Sequence, residues 1–159
     1  MVDGMGSMHH DTLHSLISLY HGEVAAEKAY ERAALRFVGQ PEEPVLQRLE
    51  LAHTEASSRL AEEIRMAGTV VPPPSGAWEM LAGTAEAVAA FINDDIALYV
   101  LLRGEQIGVH AYEKALASPY VPQPLNRLLT DLMLECRGHL YDLRMLRAQV
   151  LEVQDRPLL

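Results

Sequence analysis

The amino-acid sequence predicts an all-α fold, a four-helix bundle built as one domain spanning residues 1–159. Three observations carry that prediction. Apolar residues recur at intervals of three and four along four long segments, the period of a helix with one buried face. No segment alternates with period two for long enough to make a strand. Three clusters of proline and glycine separate the periodic segments: Gly39-Gln40-Pro41 with Pro44, Gly68 to Gly76 with Pro72-Pro73-Pro74, and Ser118-Pro119 through Pro122 with Pro124.

Residues 1–10 have no such pattern and are expected to form a disordered N-terminus. The first helix is predicted from about Thr12 to Val38, with Asp11 as N-cap and Gly39 as stop signal. The second starts near Pro41 or Pro44, where proline suits a first turn, and ends before Gly68. Ala77 to Phe91 reads as a short extra helix in the crossover, fastened by Trp78 and the neighbouring prolines. The third helix is expected from about Asn93 to Ala117 and the fourth from about Pro124 to Val153. Short turns join the first to the second and the third to the fourth, so each pair should be antiparallel.

Composition narrows the function. Hydrophobic residues make up 49% and charged residues 22%, the balance of a globular protein with a sizeable core. A formal net charge of -9 would be repelled by nucleic acid and by an anionic membrane, so neither is an expected partner. The most apolar stretch, Ile96 to Leu102, is too short to span a bilayer. With Cys136 as the only cysteine there is no internal disulfide and no thiolate-clustered zinc site. The N-terminus has no basic segment followed by an apolar one, and a cytoplasmic location is the expectation. No nucleophile–base pair, phosphate-binding glycine loop or nucleotide fingerprint is recognisable.

The first and third helices repeat one pattern. Gly22-Glu23 is followed after six residues by Tyr30-Glu31-Arg32-Ala33; Gly104-Glu105 is followed after the same six by Tyr112-Glu113-Lys114-Ala115. The repeat implies two related helical hairpins about a pseudo-twofold axis, with Glu23 facing Glu105 across the core. Tyr30 and Tyr112, roughly 10 Å along the helix from their own glutamates, read as core packing with a hydrogen-bonded hydroxyl.

Ionisable residues interrupt every inward stripe. The first helix reads Leu13, Leu16, Tyr20, Glu23, Glu27, Tyr30; the second Leu46, Leu49, His53, Ala56, Leu60, with Glu50 at the flank. The third reads Leu101, Glu105, Gly108, Tyr112; the fourth Leu125, Leu128, Leu132, Glu135, His139, Leu143, Leu146. Glu23, His53, Glu105 and Glu135 each lie about fifteen residues from the turn that joins their hairpin. At roughly 1.5 Å per residue, these groups should meet within a few ångströms of one height. An uncompensated buried carboxylate costs several kcal/mol against a total stability of about 5–15 kcal/mol, so protons or cations must neutralise the cluster. The inward stripes contain no Lys or Arg. Four carboxylates, Glu23, Glu50, Glu105 and Glu135, would balance two divalent ions, and oxygen and imidazole donors suit iron or manganese, with zinc a further candidate.

Glu23 and Glu105 as single glutamates, with Glu50-Leu51-Ala52-His53 as a Glu-x-x-His, resemble the ligand pattern of di-iron carboxylate bundles. Over nearly its whole length the chain also resembles a bacterial branch of the ferritin-like superfamily of unknown function. The features that carry this are Gly22-Glu23 with Tyr30, Ser75-Gly76-Ala77-Trp78, Gly104-Glu105 with Tyr112, and His139 followed by Leu143 and Leu146. The resemblance implies a ferritin-like four-helix bundle with a long crossover between the hairpins. It also implies a metal centre drawn from Glu23, Glu50, His53, Glu105, Glu135 and His139. The fourth helix departs from the pattern, because Glu135 and His139 stand four apart rather than three; Cys136 and His139 have the three-residue spacing.

The leading functional expectation is a metal-binding bundle that handles iron or performs oxygen-dependent oxidation. Two others remain open: a structural or stress-related bundle without a metal centre, and a bundle whose polar core admits a small ligand. Glu27, Glu63 and Cys136 stand at the margin of the site. His21 and His110 face sideways, and a homodimer through an exposed helical face is expected.

Overall fold

The computed structural model describes residues 8–73 and 93–154. They form four helices: α1 (His10–Arg36), α2 (Glu43–Met66), α3 (Asp94–Leu116) and α4 (Gln123–Gln154). The crossover segment around Trp78, with its expected short helix, lies outside the described residues, as do residues 1–7. Among the described residues no helix is long and apolar enough to cross a membrane.

The ends follow local chemistry. His9, rather than the expected Asp11, caps α1: its side chain accepts from the Asp11 N–H, so the helix opens two residues early. The His9 ring also stacks on Tyr120 at 4.2 Å, tying this end to the α3–α4 turn. Gly39, at φ +77°, adopts the left-handed conformation that stops the chain after α1, and its N–H donates to Glu43 Oε2. A proline in the first turn of α2 and Gly68 at φ +78° beyond its end bound the second helix as anticipated. Asn93 caps α3 by accepting from the Asp95 and Ile96 N–H groups, and Asp94 and Asp95 favour that helix terminus electrostatically.

The helices alternate in direction around the bundle. Tyr30 of α1 reaches Glu105 of α3 while Tyr112 of α3 reaches Glu23 of α1, which requires α1 and α3 to run antiparallel. Arg48 pairs with Asp142 and Arg59 with Glu135, which sets α2 antiparallel to α4. Arg36 at the end of α1 holds Asp94 at the start of α3 with an N···O distance of 2.6 Å. The α2–α3 connection therefore joins opposite ends of the bundle.

Two apolar clusters fill the interior. One gathers Tyr30, Phe37, Leu46, Leu49, Leu98 and Leu143 with their neighbours; the other gathers Leu16, Leu60, Ile64, Tyr112, Leu129 and Leu132. Between them, at mid-height, lies a belt of buried polar groups.

Candidate metal centre

All four helices contribute to that belt. Glu23 comes from α1, His53 from α2, Glu105 from α3 and His139 from α4, with exposures of 5%, 2%, 3% and 7%. Of the four residues matched in height by the sequence, Glu23, His53 and Glu105 do converge, and on α4 His139 takes the place expected for Glu135. His53 bridges the two glutamates: its Nδ1 lies 2.6 Å from Glu23 Oε2 and its Nε2 lies 2.9 Å from Glu105 Oε1. His139 Nδ1 approaches the same Glu105 oxygen at 3.2 Å. The tyrosines complete a crossed arrangement, Tyr30 donating its hydroxyl to Glu105 Oε1 and Tyr112 to Glu23 Oε1, both at 2.6 Å.

The electrostatics follow from this packing. Burial works to lower the His53 pKa, but hydrogen bonds with Glu105 and Glu23 outweigh it, and the imidazole is pushed up to about 9. Burial works to raise the Glu105 pKa, but hydrogen bonds from His139 and His53 outweigh it and hold the carboxyl at about 2. At neutral pH His53 is therefore an imidazolium between carboxylates, and it supplies the cation that the Lys- and Arg-free stripes lack. Burial pushes both tyrosine hydroxyls up, so they remain donors. Burial also raises the Cys136 thiol, which excludes a reactive thiolate in the metal-free protein.

Two of the six residues read from the sequence lie outside this belt. Glu135 is 46% exposed in its side chain and faces Arg59 at 3.6 Å. The buried track of α4 runs through Leu125, Leu129, Leu132, Cys136, His139 and Leu143, so it shares most of the expected stripe and departs from it by one residue at two places, Leu129 for Leu128 and Cys136 for Glu135. Cys136 occupies the inward place assigned to Glu135. Glu50, half-buried, lines a surface groove with Glu31, Leu35, Val38 and Glu43 on the outer side of α1 and α2. Among the marginal residues, Glu27 is half-buried and lies 4.0 Å from Lys28, and His110 is exposed. His21, expected to face sideways, is buried with its Nε2 unbonded.

Tyr30 and Tyr112 are core residues with hydrogen-bonded hydroxyls, as expected, and what the sequence reading missed is the acceptor of each. Their seven-residue offset from the glutamates was visible, but each hydroxyl serves the glutamate of the other hairpin. Only the antiparallel setting of α1 and α3 brings those partners level.

As metal ligands, His53, Glu105 and His139 form a compact set, with one donor atom from each lying within 4.8 Å of the others. Two imidazoles and one carboxylate suit a single divalent transition-metal ion with open coordination positions. A two-ion carboxylate set would need Glu50 and Glu135, which this fold directs elsewhere. No protein-family model, curated protein or solved structure matches the chain.

Proposed function

We propose that this protein is a ferritin-like bundle that binds one divalent transition-metal ion, iron or manganese before zinc, through His53, Glu105 and His139. The observation that carries the reading is the convergence of those three buried side chains, from three different helices, within 4.8 Å. The long connection between opposite ends of the bundle supports the ferritin-like assignment. Bound iron or manganese would supply redox chemistry at its open positions, which makes iron handling or oxygen-dependent oxidation the corresponding role. The chain's own residues exclude bulk water, hold the two imidazoles on one carboxylate, and keep Tyr30 donating to that carboxylate.

A second reading is favoured by a different observation. Each buried glutamate already accepts from His53 and from a tyrosine, so the belt is satisfied by its own protons. On that reading it organises a non-catalytic bundle.

Metal analysis and anaerobic titration of protein purified without a histidine tag separate the two. The metal reading expects one ferrous or manganous ion per chain, retained in Glu50→Gln and Glu135→Gln and lost in Glu105→Gln. Absence of any bound ion after anaerobic loading with ferrous iron leaves the self-satisfied belt as the function of these residues.

A further inference from the structure

The sequence repeat makes Glu23 and Glu105 equivalent; the structure does not. Glu105 Oε1 receives Tyr30, His53 Nε2 and His139 Nδ1, the convergence point of both imidazoles. Glu23 touches only the opposite edge of the His53 ring, at Nδ1, and its other oxygen is taken by Tyr112. The two carboxylates thus lie on opposite sides of one imidazole, and only one side carries a second imidazole.

We infer that Glu23 is a positioning residue rather than a ligand: when His53 gives up one of its two ring protons, Glu23 keeps the other on Nδ1, so that the Nε2 lone pair then faces Glu105 and His139. Tyr112 in turn fixes Glu23. The chain Tyr112–Glu23–His53 spans α3, α1 and α2 and ends at the proposed centre. A carboxylate bonded to the remote nitrogen of an imidazole sets its tautomer and orientation and raises its basicity as a ligand. The hairpins have therefore divided one duplicated Glu/Tyr pair between two tasks. Glu105 with Tyr30 would meet the ion, while Glu23 with Tyr112 aims the histidine.

This inference rests on the metal reading for its role in binding, but the aiming itself is measurable in the metal-free protein. Long-range 1H–15N spectra at alkaline pH, where the ring is neutral, report which His53 nitrogen holds the proton. Glu105→Gln should leave His53 protonated on Nδ1, and Glu23→Gln should abolish that preference. If Glu23→Gln keeps the Nδ1–H form, the inference is overturned whatever the protein does with metal. The second arm uses Co(II), whose visible spectrum reports its ligands. Glu23→Gln should keep one ion and an unchanged band shape while weakening affinity about 10–100-fold. Tyr112→Phe, which removes a single hydroxyl and folds more safely, should weaken it in the same direction by less. A changed band shape in Glu23→Gln would make Glu23 a ligand and refute the assignment. Failure of the wild-type protein to take up Co(II) would count against the metal centre, while the tautomer measurement would still decide the role of Glu23.

Discussion

Tyr30 and Tyr112 carry the most direct consequences at the scale of single residues. Each donates to a carboxylate that is nearly inaccessible to water, and hydrogen bonds to charged groups contribute about 1.5–3 kcal/mol. Tyr30→Phe and Tyr112→Phe should each lower the unfolding free energy of the metal-free protein by about that amount, measured by denaturant titration. Because the two contacts have the same length, the losses should be similar; a neutral substitution at either site would mean that the hydroxyl is not needed there. His53 bears more, since it neutralises both glutamates. Removing the cationic member of a buried pair typically costs about 3–5 kcal/mol, a large part of a domain's stability. His21, buried with an unbonded Nε2, has no counterpart of this kind, and nothing in the structure accounts for it.

The rotation of α4 decides the composition of the site at the scale of the element. Leu128 and Leu129 stand side by side, so two adjacent tracks along the helix both look apolar from the sequence. The tracks share Leu125, Leu132, His139 and Leu143 and part only at alternate places, where adjacent residues stand about 100° apart, and the choice puts Cys136 inside and Glu135 beside Arg59 at the solvent edge. Helix α3 depends on its start. Asn93 accepts from two otherwise unpaired N–H groups, and Asp94 and Asp95 are drawn to Arg36 and Arg147. Replacing Asn93 by Ala should destabilise the protein by about 1 kcal/mol, and replacing it by Gly by only a few tenths. The thermal midpoints of the two variants, compared with wild type, give the check. Equal losses would show that the side-chain oxygen is not what holds this end.

Linked titration governs the pH response of the whole molecule. His53 has its pKa raised from 6.5 to about 9, so its stabilisation is complete below pH 6.5 and is lost as pH rises through 9. Glu105 has its pKa lowered from 4.5 to about 2, so its stabilisation is present above pH 4.5 and is lost as pH falls through 2. The two windows overlap between pH 4.5 and 6.5, where the belt should support the metal-free fold most strongly. Chemical denaturation across pH 3 to 10 should trace that plateau, and a His53→Gln variant should lose the alkaline limb. A variant whose alkaline decline matches wild type would assign that decline to other groups.

Sequence alone determined the helices and their approximate ends, because helical period, proline and glycine act over neighbouring residues. It also brought Glu23, His53 and Glu105 to one height, since equal distances from a turn become equal distances along antiparallel helices; on the fourth helix it matched Glu135, where the structure places His139. What it left open is rotation about each helix axis and contact across the bundle. Both depend on how side chains from different helices fill a shared interior, and a single helix carries no record of its partners' shapes. Packing moved Glu50 and Glu135 out of the centre and Cys136 in. It also crossed the tyrosines between hairpins and set two identical motifs to unequal tasks on either side of one histidine.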